Sequence, residues 1–483
     1  MDWHLQLNSE SGVPLYRQLY DQISELVRSG DLAPGDRLPA TRELAGLLGL
    51  NRATISTAYE LLEAEGLITG QVGRGSFVAG PVESRHQGVD WEALLAPAGS
   101  PAGVAGAGIS FVMSRPSRDL FPLDAFRSSC RAVLDRQDLA DILQLGSPSG
   151  YEPLRRLLLE DARRSGLAGP GDDVIVTNGC QQALDLIGRV LLRSGDRVAV
   201  EDPVYPGLKN LLTGMGARLQ AIPVGSEGMD MEAAERVLRE KPRFLVVTSN
   251  FQNPTGATLP LEARRALLEA ARQGGVPVVE NDAYGDLRYC GAPVAPLKQL
   301  DDRGGTILLR SFSKVSFPGL RVGWVLGPQP LIERLRHAKE AADLHTDQLS
   351  QAVLLEFMES GRLEEHRQRV LEAGRLRLEA TLEGCRQYLP SGARYTRPEG
   401  GMNVWVRLPE PLDTAALLPR ARMEGVAYVP GLYFTVARPE PGALRLSFAS
   451  LTPDEIRRGL EILGRVVAAE MKRADFQPES ALV

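Results

Sequence analysis

Apolar residues recur at every fourth position through PLYRQLYDQISELVRSG, so Leu15, Leu19, Ile23 and Val27 share one face of a predicted helix. Pro39 opens a second, short helix with an apolar face of Leu44, Leu47 and Leu48, and Gly49 ends it. Asn51 is placed to cap a third helix, Arg52 to Glu65, which buries Ile55, Tyr59, Leu61 and Leu62 and stops at Gly66. Two helices joined by a tight glycine-containing turn make a helix-turn-helix. The following ITGQVGRGSFVAG, with Gly70, Gly73 and Gly75 around Arg74, predicts a β-hairpin wing.

The pattern then changes twice. Residues 81–108 are rich in Pro, Gly and Ala and read as a linker after a first domain at 12–80. From residue 109 to about 475, continuous apolar runs alternate with amphipathic ones: DVIVTNG, CQQALDLIGRVLL, DRVAVEDP, RFLVVTS, VPVVEND and TILLRSFS. Strands buried on both faces and separated by helices argue for an α/β domain built on a mainly parallel sheet. After about residue 330 the pattern becomes mainly helical, with GGMNVWVRL strand-like, which predicts a smaller α+β lobe.

Composition changes this picture little. The 483 residues are 43% hydrophobic and 24% charged, with a net charge of −6. No apolar run is long enough to span a membrane and the first ten residues do not read as a secretory signal, so a cytoplasmic protein with no membrane partner is expected. Four scattered cysteines fit a reducing compartment and suggest no metal site.

The third helix displays Arg52, Thr54 and Ser56 in its first turns, residue types that contact phosphates and base edges in a major groove. Residues 1–80 carry six Arg against ten Asp and Glu, so a three-helix module for protein contacts is the competing reading. The blocks RLPATRELA and NRATISTAYELLEAEG, with GRGSFV, closely resemble the GntR-type winged helix. That resemblance implies that Arg42, Arg52, Thr54 and the wing residues Gly73, Arg74 and Gly75 touch a double-stranded DNA operator.

Only six of the 55 basic residues are lysines, and one of them, Lys314, lies in RSFSKVSFPGLRVGW between small and apolar neighbours. A desolvated lysine can act as a nucleophile, whereas arginine keeps its proton. Gly179, Cys180 and Gln181 stand at a strand-to-helix turn suited to phosphate. Tyr205 follows the next strand and can stack on a ring. Asn253 in NPTG, and Asn281, Asp282 and Tyr284 in ENDAY, stand at further strand ends. Ser311, Ser313 and Arg321 can hold a phosphate. These are the parts of a pyridoxal 5′-phosphate site.

Together they closely resemble fold-type I enzymes of the class I/II aminotransferase family. The resemblance implies that Lys314 carries the cofactor as an aldimine. It also implies that Asn253 and Tyr284 bond the phenolic oxygen and that Arg445, in GALRLSF, grips an effector or substrate carboxylate. Two positions depart from the family. Asn281 stands where an Asp usually pairs with the ring nitrogen, and either Asp282 takes that role or the ring is a poorer electron sink. Leu145 stands where a Tyr often reaches the partner subunit's phosphate.

A GntR-type winged helix fused to such a domain is similar to the MocR-like subfamily of bacterial regulators. Membership implies a head-to-tail homodimer that senses pyridoxal phosphate or an amino-group effector. The alternative is a working aminotransferase that carries a DNA-binding module.

Overall fold

The computed structural model describes residues 5, 7, 8, 14–71, 75–79 and 108–475. Gly73, Arg74 and the stretch read as a linker, apart from Gly108, lie outside the described residues. The chain divides into two compact units, residues 1–100 and 101–483.

In the first unit, α1 (Leu15–Ser29), α2 (Thr41–Leu48) and α3 (Arg52–Ala64) precede a hairpin of β1 (Ile68–Gln71) and β2 (Gly75–Val78), paired antiparallel. The helix boundaries have local causes. Gly30 and Gly49 adopt left-handed backbone conformations that end α1 and α2, and Asn51 Oδ1 accepts from the Ala53 N–H at 3.0 Å to start α3. Leu19, Ile23, Leu44, Ile55, Ala58, Tyr59 and Leu62 form the core. Tyr59 Oη donates to the Pro39 carbonyl at 2.9 Å and ties α3 to the start of α2.

Leu47 departs from the expected apolar face and is 66% exposed. It lies roughly 100° around α2 from the middle of the arc formed by Leu44, Ala45 and Leu48, and Ala45 takes the inward place. Leu61 is only half-buried, and Ala58 fills the core beside Tyr59.

The second unit opens with β3 (Ile109–Ser110). Its main sheet holds β4 (Asp172–Thr177), β5 (Arg197–Asp202), β6 (Arg218–Gly225), β7 (Gly228–Met229), β8 (Leu245–Val247), β9 (Val278–Asn281), β10 (Thr306–Ser311) and β11 (Gly323–Pro328). The spatial order is β4-β11-β10-β9-β8-β5-β6-β7. Strands β10, β9, β8, β5 and β6 run parallel, while β11 lies antiparallel between β4 and β10.

Both faces are buried, as continuous apolar strands require. Val279 packs with Leu184, Ile187 and Leu335 on one face, and Val278 with Leu238, Leu267 and Ala271 on the other. The smaller lobe has β12 (Arg394–Tyr395), β13 (Asn403–Arg407), β14 (Val426–Ala427), β15 (Val429–Pro430) and β16 (Ala443–Ser447). An antiparallel sheet β12-β13-β16-β15 packs on the long helices Arg362–Tyr388 and Pro453–Asp475. Strand β3 pairs parallel with β14, so the segment that begins the unit belongs spatially to the lobe that ends it.

Candidate functional site

A cavity of about 350 Å³ opens at the C-terminal ends of the parallel strands, where ligands bind in open α/β sheets. It gathers Cys180, Gln181, Tyr205, Asn253, Asn281, Tyr284, Ser311, Ser313, Lys314, Arg321 and Arg445 from positions spread over 266 places in the sequence.

Its anion-binding end is built on the turn after β4. Gly179 has φ 79° and precedes the helix Cys180–Leu191, whose first N–H groups have no carbonyl partner within the helix. A Cβ at Gly179 would lie 2.6 Å from Arg321 Nη2, so only glycine leaves that guanidinium its place. Arg321 donates to the Asn178 carbonyl at 3.1 Å and to Ser313 Oγ at 3.3 Å, and Ser311 Oγ meets Ser313 Oγ at 3.0 Å. Burial pushes the Cys180 thiol up to about 12, so it stays neutral beside this turn. Gln181 Nε2 donates to the Gly207 carbonyl at 3.3 Å.

The turn rests on a network that joins positions more than 150 residues apart in the chain. Asp343 accepts from Asn178 Nδ2 at 2.7 Å, Gln182 Nε2 at 2.6 Å and Lys339 Nζ at 2.8 Å. Lys339 is fully buried on the helix Gln329–Asp343.

Lys314 ends a short 3₁₀ turn whose first N–H groups include that of Ser313, held by Ser311 Oγ at 3.1 Å. Its Nζ donates to the Ser114 carbonyl at 2.7 Å and lies 5.2 Å from the centre of the Tyr284 ring. Asn253 Nδ2 donates to Tyr284 Oη at 3.4 Å. Tyr205 starts the helix Pro206–Gly214 and is 40% exposed at the cavity. Its loop is fastened to the smaller lobe by the Val204 N–H on the Phe434 carbonyl and by Lys209 Nζ on the Tyr433 carbonyl, both at 2.8 Å.

Arg445, on β16, is buried. Nη1 donates to Asn253 Oδ1 at 3.3 Å, Nη2 to the Val112 carbonyl, and Nε has no partner among the described residues. Burial pulls its pKa down to about 10. A buried cation surrounded by neutral partners is an incomplete arrangement that a carboxylate would complete.

Asp282 does not share the cavity. Its carboxylate is fully buried against Arg310, at 2.7 Å, and Asn250 Nδ2, at 2.8 Å. Successive strand residues face opposite ways, and Asn281, not Asp282, lines the cavity. Contrary to the alternative expected from the sequence, Asp282 is not placed to pair with a ring nitrogen in this cavity. Leu145 is 77% exposed and outside the lining. Val112, Met113 and Ser114 also line the cavity, from a segment about 200 positions before Lys314 that no local pattern marks, and Thr248 joins them just past the end of β8.

In the first unit, Arg42 and Arg52 are exposed, and Arg52 Nε donates to Thr41 Oγ1 at 3.4 Å. Thr54 and Ser56 are half-buried instead of fully displayed, because they flank the core residue Ile55. Gly75 opens β2 beside Arg37, an exposed cation that the motifs did not point to.

The lining fits pyridoxal phosphate. Glycine at 179 clears a basic cradle for a phosphate, Lys314 supplies a primary amine within the same cavity, and Asn281 Oδ1 and Arg445 Nε are buried polar atoms with unmet hydrogen bonds.

Comparison with known proteins agrees. Residues 124–463 match the family of class I and II aminotransferases, and residues 15–78 match the gntR family of bacterial regulatory proteins. An aromatic-amino-acid aminotransferase of Thermococcus litoralis is 37% identical over 76% of this chain and 89% of its own. The transcriptional regulator TauR of Rhodobacter capsulatus is 30% identical over 94% of this chain and 96% of its own. The crystal structure of LysN, the α-aminoadipate aminotransferase of Thermus thermophilus, complexed with N-(5′-phosphopyridoxyl)-L-leucine, superposes with a TM-score of 0.74. It is 36% identical and covers 80% of this chain and 100% of its own. The chain therefore belongs to the class I and II aminotransferase family, in the arrangement of the MocR-like regulators, with a gntR-family winged helix joined to a fold-type I pyridoxal phosphate domain.

Proposed function

We propose that this protein is a transcription regulator that binds an operator in double-stranded DNA and holds pyridoxal phosphate on Lys314, sensing the cofactor itself or an amino-group effector. The observation that carries this reading is the convergence of Lys314, Arg321 and Arg445 on one cavity in a chain that also bears a helix-turn-helix. Bound there, pyridoxal phosphate supplies an electrophilic carbonyl carbon to which primary amines add reversibly.

The chain's own groups divide the work. Lys314 Nζ is the resident amine. Ser311, Ser313, Arg321 and the N–H groups after Gly179 hold the phosphate. Asn253 and Tyr284 bond the phenolic oxygen, Tyr205 covers the ring, and Arg445 orients an effector carboxylate through its planar fork. On the DNA side, Arg42, Arg52, Thr54, Ser56 and the wing at Gly73, Arg74 and Gly75 meet the duplex. An effector shifts the protein only through unequal affinity for two lobe arrangements. The Tyr205 loop is the natural element to differ between them, since hydrogen bonds from Val204 and Lys209 fasten it to the smaller lobe. We place the protein in the cytoplasm as a head-to-tail homodimer.

A second reading, an active aminotransferase, draws support from relatives of that kind that match the larger unit. Incubation with L-amino acids and 2-oxoglutarate separates the two. A regulator gives spectral changes without sustained keto-acid production; repeated turnover establishes the enzyme.

A further inference from the structure

Among the described residues, seventeen line the cavity, of which three are cations and none is a carboxylate. Three acids on β5, on β9 and just after β9 are occupied by other groups. Asp282 is held by Arg310 and Asn250. Glu280 accepts from Ser249 Oγ and from the N–H groups of Leu297 and Lys298. Glu201 sits behind Thr248, accepting its N–H at 3.0 Å. The ionisable groups that do face the cavity are Cys180, Tyr205, Tyr284, Lys314, Arg321 and Arg445. At the end of β9, Asn281 presents an amide whose Oδ1 is buried without a partner among the described residues.

We propose that Asn281 faces the pyridine nitrogen of the bound cofactor and leaves that nitrogen unprotonated. The inference rests on the cofactor reading above and adds to it the state of the ring. In pyridoxal phosphate the nitrogen lies across the ring from the carbon that bears the carbonyl. With that carbon at Lys314, the nitrogen is turned away from the lysine. A pyridinium cation needs an adjacent anion, the more so among three other cations. An amide supplies no charge, and a half-turn about its Cβ–Cγ bond exchanges the unpartnered Oδ1 for Nδ2, which can donate to the lone pair of a neutral nitrogen.

The consequence is selective. Addition of an amine to the carbonyl carbon needs Lys314 and the shape of the cavity. Breaking the Cα–H bond of that amine needs a ring able to take up electron density, and a neutral ring does this poorly. The cavity is thereby suited to exchange amines reversibly without consuming them, which is what a sensor requires.

The test uses the full-length chain reconstituted with pyridoxal phosphate carrying ¹⁵N in the ring, observed by ¹⁵N NMR at neutral pH. The bound nitrogen is expected to resonate in the range of neutral pyridine, and Asn281→Asp to move it upfield into the pyridinium range. A wild-type signal already in the pyridinium range overturns the proposal. Should the added charge prevent Asn281→Asp from folding, Asn281→Ala decides. Loss of the amide donor moves the neutral signal further downfield, and an unchanged signal removes Asn281 from the nitrogen. If only free cofactor is seen, the cofactor reading itself falls and takes this inference with it.

Discussion

Arg445 Nη1 donates to Asn253 Oδ1 at 3.3 Å, and the same amide donates through Nδ2 to Tyr284 Oη at 3.4 Å. The group proposed for the effector's carboxylate is thus coupled through one side chain to the groups proposed for the phenolic oxygen. Arg445→Lys keeps a charge but loses the planar fork. It should weaken a carboxylate effector by roughly 1.5–3 kcal/mol, about ten- to a hundredfold, and, because Arg445 shares Asn253 with the cofactor's groups, loosen the cofactor by a smaller amount, on the order of 0.5–1 kcal/mol or about two- to fivefold. Spectral titration of the reconstituted variant with an amino acid that shifts the wild-type spectrum measures both.

The network behind the phosphate turn makes a separate prediction. Lys339 is fully buried, and its charge is met by Asp343. Removing one partner strands the other, so Asp343→Leu should destabilise the fold by roughly 3–5 kcal/mol and loosen the cofactor. Lys339→Met combined with Asp343→Leu should recover much of the stability. Cofactor affinity should recover less, because Asn178 and Gln182 have still lost their acceptor. Denaturant melts and cofactor dissociation constants on the four proteins of this cycle check it.

His366 predicts a slope in acid. It is fully buried, stacked on Phe317 with ring centroids 6.0 Å apart, and neither ring nitrogen has a hydrogen-bond partner among the described residues. Burial, with Arg369 adding to it, pulls its pKa down to about 4, while the unfolded chain keeps about 6.5. Between these values the unfolded state binds the proton and the native state does not. The contribution of neutral His366 is therefore intact above about pH 6.5 and is lost as the pH falls towards 4, on the order of 3 kcal/mol in all. His366→Phe should flatten this part of the profile in urea melts between those pH values.

On the DNA side, exposed Arg52 opens α3. Arg52→Ala should reduce the slope of log K against log salt by about one for duplex DNA. Thr54→Ala should leave that slope unchanged. Fluorescence anisotropy on a labelled duplex over a salt series distinguishes them.

Much of this architecture is legible in the chain because its signals are local. Continuous apolar runs mark strands β4, β5, β8, β9 and β10, a cap and a glycine frame α3, and NPTG and SFSK stand beside strand ends. Contacts between distant positions carry no such signal. The Ser114 carbonyl meets Lys314 across 200 positions, and Asn178 meets Asp343 across 165. The period of two along β9 says that Asn281 and Asp282 face opposite sides, but only the packed structure, with Arg310 beside Asp282, shows which one lines the cavity. The short strands β12, β15 and β16 are stabilised mainly by pairing and by the long helices beneath them, so their own residues announce them weakly.

The central claim is that cofactor chemistry at Lys314 governs DNA binding. The most direct measurement follows the visible spectrum and operator binding together, on the purified full-length chain with and without pyridoxal phosphate, beside Lys314→Ala. The account predicts an absorption band that borohydride fixes to Lys314, absent from the variant, and a DNA affinity that changes with the cofactor or an added amine in the wild type alone. A wild-type protein that stays colourless with added cofactor, or DNA binding identical in the two proteins under every condition, contradicts it.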